Sequence, residues 1–206
     1  MRKPAIDDIL QRLHTLQREL EQEIDCLLKE KRELFRYSLE QGKVRFEQGM
    51  QRLLKTQKTG VWRYLRTSPA RHLLSAPVVY SVFFPFLLLD IGTTLFQQIC
   101  FRIYGIPLVQ RGDYLIQDRQ HLAYLNIIEK LNCLYCGYAN GIIEYVREVA
   151  ARTEQYWCPV KHTRRSPDPH RLSQDFLDYG DVESYRTRLD GLREELKTIR
   201  TAPEHD

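Results

Sequence analysis

The stretch "LLSAPVVYSVFFPFLLLDIGTTLFQQICF", Leu73 to Phe101, decides what kind of protein this is, because Asp90 is its only charged residue. A helix crossing the hydrocarbon core needs about 20 mainly apolar residues. The stretch is too long for one straight span and too short for two. Pro77 and Pro85 interrupt regular helix, and Gln97 and Gln98 make the second half only moderately apolar. These features predict a membrane-associated helical hairpin, re-entrant or interfacial. A tilted single span and a buried helical pair of a soluble protein are the rivals. Arg63, Arg66 and Arg71 precede the stretch and Arg102 and Arg111 follow it. Basic residues on both sides place both ends on the cytoplasmic side of the cell membrane, with Trp62, Tyr64, Tyr80 and Tyr104 available as interface anchors. Asp90 reads as an N-cap for a helix starting at Ile91, or as the hairpin tip, rather than as an intramembrane functional carboxylate.

Towards the N-terminus, Ile6 to Gln57 reads as one long amphipathic helix. Ile6, Leu13, Leu20, Leu27 and Leu34 fall at heptad position a, and Ile9 and Leu16 at d, but Glu23, Glu30 and Tyr37 then occupy d. A helix lying along the protein's own body is the first expectation, and a coiled coil with a protein partner the second. Gly42 and Gly49 allow a bend in its second half. No apolar segment follows Arg2 and Lys3, so no secretory signal peptide is expected. Three regions result: residues 1–60, a long helix; 61–110, the apolar hairpin; and 111–206, a second helical region.

That last region holds "NCLYCGYANGIIEYVREVAARTEQYWCPVKH", Asn132 to His162, with three of the chain's five cysteines. A long helix from about Asp113–Asp118 to Thr153 is expected. Within it Glu129, Cys133, Cys136, Asn140, Glu144 and Arg147 recur at three and four, forming one polar stripe. The same residues admit a metal site. Cys133 and Cys136, with Cys158 and His162, form a Cys3His set of the kind that binds zinc, or alternatively iron or an iron–sulfur cluster. That set requires "GYANG", Gly137 to Gly141, to turn the chain so that a second helix returns Cys158 to "CLYC". A thiol redox pair is less favoured, because helical periodicity rather than a strand precedes Cys133. Cys26 and Cys100 read as packing residues. A final helix is expected at Val182 to Arg200, capped by Asp181, before a frayed tail.

The net charge of +4 in 206 residues is too small for a dedicated nucleic-acid binder. Lys161, Arg164, Arg165 and Arg171, with His162 and His170, form a basic cluster suited to anionic headgroups, and no aromatic platform for single strands is interleaved with it. No P-loop, nucleotide fingerprint or nucleophile elbow is found. The sequence therefore predicts a mainly α, membrane-associated protein with a structural Cys3His site, acting as an interaction or assembly module and free to form oligomers. The alternative is a membrane-bound redox protein or electron carrier on the same ligands, with Glu129, Asn140 or Glu144 handling protons.

Overall fold

The computed structural model describes residues 3–34, 37–40, 43–46, 48–164 and 166–199. Among these the chain is mainly helical and divides into two compact units, Met1–Val61 with His121–Asn126, and Trp62–Gln120 with Ile127–Asp206.

In the first unit helix α1 (Lys3–Leu34) covers only the first, charged and glycine-free part of the expected helix, with Pro4 in the first turn where its missing N–H is harmless. Its apolar side chains Leu16, Leu20, Ile24, Leu27 and Leu34 are all exposed. The single helix to Gln57 does not form. Instead β1 (Tyr37–Glu40) and β2 (Lys43–Phe46) pair antiparallel before α2 (Gln48–Thr56). The register sets Tyr37 opposite Phe46 and Leu39 opposite Val44. Apolar residues alternate in each four-residue segment, a period of two that breaks the helical repeat where the heptad had already failed. Gly42 lies outside the described residues, and Gly49 lies within α2.

The second unit opens with α3 (Val61–Thr67) and then a continuous helical run. Helix α4 (Ala70–Ser81) passes through Val82 into α5 (Phe83–Phe96), a π-helical turn (Gln97–Phe101) and α6 (Arg102–Tyr104). Together these make one apolar helix, Ala70–Tyr104, 35 residues with a mean hydropathy of 1.8 over its most apolar window, long and apolar enough to cross a membrane. The expected hairpin is therefore corrected: the chain does not reverse. Val82 keeps helical dihedrals (φ −67°, ψ −12°), and Pro85 is the third residue of α5, in the first turn, where a proline N–H is not needed. Pro77 costs α4 one rung without turning it.

Gly105, at φ 69°, ends the helix in the left-handed conformation. Residues 105–120 then run back as a strap, broken only by short 3-10 turns, before α7 (Ile127–Trp157). The second long helix thus starts at Ile127, later than the expected start within 113–118, and runs on past Thr153 to Trp157. The apolar helix and α7 run parallel, since contacts advance together along both: Tyr80 with Asn132, Asp90 with Tyr138, Gln97 with Tyr145 and Tyr104 with Tyr156. Phe101, Ile106, Val109, Ile142, Tyr145, Val149 and Leu196 form the core between them. Fully buried Ile142 and Leu196 each contribute about 1.5–3 kcal/mol. The last element, α8 (Val182–Lys197), is capped as expected, with Asp181 accepting from the Ser184 N–H at 3.0 Å. Arg200 and the tail lie outside the described residues.

Candidate functional site

Helix α7 is unbroken through "GYANG". Its glycines face the strap: a Cβ on Gly141 would stand 2.5 Å from the Tyr114 carbonyl oxygen, and one on Gly137 would stand 3.5 Å from that of Ile116. They allow backbone to approach backbone, and they do not make a turn. Cys158 follows Cys133 by 25 residues, about 37 Å along a helix at 1.5 Å per residue. Ligands of one zinc ion lie within about 4 Å of each other. The structure thus keeps Cys133 and Cys136 together on α7 and places Cys158 and His162 beyond its far end. Among the described residues no three His, Cys, Asp or Glu side chains form a group able to hold a metal ion. The zinc, iron and iron–sulfur readings gain no support, because the turn they required is absent. Metal analysis of purified protein checks this, with less than stoichiometric zinc and iron as the expected result.

The polar stripe, the competing reading of the same residues, is present. Cys136, Asn140, Glu144 and Arg147 are exposed on α7, with Glu129 and Cys133 partly so. At 100° per residue they lie roughly opposite Tyr138 and Tyr145, which face the apolar helix. One side of α7 is therefore mounted on the apolar helix and the other is open.

The mounted side is held by polar ties. Asp90 is not a cap; it sits within α5, buried, and receives Nε and Nη2 of Arg111 at 2.8 and 2.6 Å and the Tyr138 hydroxyl at 2.9 Å. Gln97 uses its side-chain amide as a strand would use a peptide: its Oε1 accepts from the Val109 N–H at 2.9 Å, while its Nε2 donates to the Val109 carbonyl at 3.2 Å and to the Tyr145 hydroxyl at 2.6 Å. Tyr80 donates to Asn132 Oδ1, and Tyr135 donates to the Val79 carbonyl. Each buried polar group on this face of the apolar helix has its partner on the strap or α7, which offsets its desolvation.

Further along α7, Arg152 is completely buried and donates to Glu148 at 2.9 Å and to the Pro107 carbonyl at 2.6 Å, while Arg171 donates to Glu148 at 2.6 Å. Burial alone would raise the Glu148 carboxyl, but hydrogen bonds from Arg171 and then Arg152 outweigh it and hold the group below its ordinary 4.5. A carboxyl lowered by folding contributes stability that is full above its unfolded value and is lost as pH falls through the folded one. Urea midpoints should therefore fall steeply below about pH 4.5 in the native protein, and Glu148→Gln should flatten that dependence. Equal acid sensitivity in the two proteins would refute the assignment.

Beyond the end of α7 the chain closes a loop. Leu177 N–H donates to the Pro159 carbonyl and Lys161 N–H to the Leu177 carbonyl, both at 2.8 Å, with Val160 and Leu177 bridged in parallel. This loop and α7 enclose a cleft of about 510 Å³, floored by Val160 and Phe176 and walled by Arg147, Glu154, Lys161, His162, Arg164 and His170. Most charges are engaged. Arg147 pairs with Asp168 at 2.9 Å, Lys161 with Asp178 at 3.1 Å, and His170 Nε2 lies 3.0 Å from Glu154 Oε2. His162, exposed, stands 3.9 Å from the other oxygen of Glu154.

No family model, curated protein or solved structure matches this chain. The site rests on its own geometry.

Sequence reasoning placed His162 and the basic cluster near a site but missed Glu154 and His170 as partners, since they lie 16 residues apart. It also grouped Arg171 with the basic cluster suited to headgroups, whereas Glu148 holds it. Arg165 lies outside the described residues.

Proposed function

We propose that the protein is a membrane-associated interaction module, with the apolar helix Ala70–Tyr104 as anchor and the open side of α7 with its adjoining cleft as the surface offered to partners. The observation that carries this reading is the one-sidedness of the helix. Leu74, Val78, Phe84, Leu88, Leu95, Ile99 and Ile103 are each more than half exposed and recur at helical spacing, so they form a stripe along one face. Asp90 and Gln97, about 180–200° from Leu88, are buried on the other face. Monomeric soluble proteins rarely expose an apolar surface of this extent, and a bilayer is an occupant that covers it over its whole length.

Exposed α1 offers a second surface, on which Leu16, Leu20, Ile24 and Leu27 suit a helical protein partner, so assembly with another protein or another copy belongs to the same proposal. The membrane reading makes a direct prediction. Leu88→Glu with Leu95→Glu should cut the fraction of protein floating with lipid vesicles by tenfold or more, while leaving far-ultraviolet circular dichroism unchanged because both positions are exposed. Undiminished flotation of a folded double variant would end this assignment of the anchor.

A further inference from the structure

We infer that the apolar helix lies in the plane of a bilayer surface and does not cross it, with the strap and α7 on its water-facing side; this rests on the membrane reading above. Length and hydropathy alone allow the helix to span. Its companions do not. Tyr80 bonds to Asn132, Tyr135 to Val79, Tyr138 to Asp90 and Tyr145 to Gln97, so α7 accompanies the helix over most of its length. Any crossing of about 20 residues must therefore carry part of α7 with it. Taken at residues 70–89, the crossing brings Lys130 to hydrocarbon depth, since it lies only two residues before Asn132. Taken at residues 85–104, it brings exposed Glu144 and Arg147, together with the half-exposed guanidinium of Arg111. Every window between these carries Lys130, exposed Glu144, or the partly exposed pairs Arg147–Asp168 and Arg111–Asp90, which a crossing would strip of water.

Laid flat, the same structure has no such conflict. The stripe through Leu88 faces the acyl chains, Asp90 and Gln97 face the protein, and the charged side of α7 faces water. Exposed Arg63, Arg66 and Arg71 at one end and Arg102 at the other then come level with the headgroups together, as a surface bearing anionic lipid requires. Trp62, 86% exposed beside Arg63 and Arg66, is the matching interfacial aromatic. The cleft beyond α7 opens away from the bilayer, because Arg147 and Glu154 lie about 160–180° around α7 from Tyr138.

The orientation is tested on the full chain carrying an epitope tag at each end, reconstituted from detergent into phosphatidylcholine vesicles containing phosphatidylserine. Floated vesicles are treated with external trypsin, and both tags are followed on each molecule. A helix lying flat leaves both flanks on one side, so every molecule loses both tags or keeps both. A crossing helix leaves one flank inside, and molecules that lose one tag while keeping the other would overturn the in-plane arrangement while leaving membrane association intact. Failure to float at all would overturn the membrane reading, and this inference with it. Omitting phosphatidylserine should lower the bound fraction about tenfold or more; unchanged binding would remove the anionic headgroups from the proposal.

Discussion

Arg152→Met should destabilise the protein by about 3–5 kcal/mol, enough to leave many domains substantially unfolded at room temperature. Arg152 has no exposed surface and is the largest fully buried side chain among the described residues. Methionine fills much of the same volume, so the loss is electrostatic rather than a cavity. Two groups lose a donor: the Glu148 carboxylate, which is left with Arg171 alone, and the Pro107 carbonyl of the strap. An unpaired buried acceptor costs about 1–3 kcal/mol, and breaking one side of a buried charge pair costs more. Urea unfolding in detergent micelles measures the effect. Glu148→Gln combined with Arg152→Met should recover part of the loss, because the uncompensated charge goes with its partner. A single variant within about 1 kcal/mol of the parent would show that the pair contributes little.

Gly141→Ala is the second large effect, about 1–3 kcal/mol of destabilisation from one methyl group. The added carbon would lie 2.5 Å from the Tyr114 carbonyl oxygen and 3.2 Å from Leu115 Cα, both backbone atoms that cannot rotate aside. Relief requires the strap to lift from α7, which strains the Gln97 bonds to Val109 and the Arg111 bonds to Asp90. Intrinsic helix propensity runs the other way, favouring alanine over glycine by about 1 kcal/mol. The sign of the measured change therefore separates two accounts. A stabilised variant would mean that the glycine serves no close approach, and a destabilised one that the strap contact outweighs propensity. Gly191, inside α8 with open space around it, is the control: there Gly191→Ala should stabilise, since propensity acts alone.

The helical class was legible because apolar residues at three and four recur over long windows, and Asp181 marked its helix start through a side chain that reaches only three residues on. The hairpin of β1 and β2 hid because two four-residue strands are too short to outweigh the helical repeat on either side. Pro85 misled for a different reason. A proline limits a helix only beyond its first turn, and where the turn starts is not written in the proline. The cysteine site turned on one ambiguity. Glycines spaced four apart in "GYANG" permit a turn and equally permit a chain to cross a helix face, and only the strap, which carries no sequence signal for its path, decides between them. Asp90 was seen, and Arg111 was seen, but as a tip and a flank; their pairing joins residues 21 apart that no periodicity connects.

The parallel course of the two long helices also has a consequence in time. Each tie between them joins residues 48 to 56 apart in sequence, whereas neighbouring antiparallel helices close over connections of about 2–8 residues. Closing so long a loop slows the step that forms it. During synthesis the apolar helix is therefore complete well before α7 exists to cover its polar side. For that interval Asp90 and Gln97 have neither Tyr138 nor Tyr145 to bind, and the stripe through Leu88 is the first surface of this unit ready to find a home.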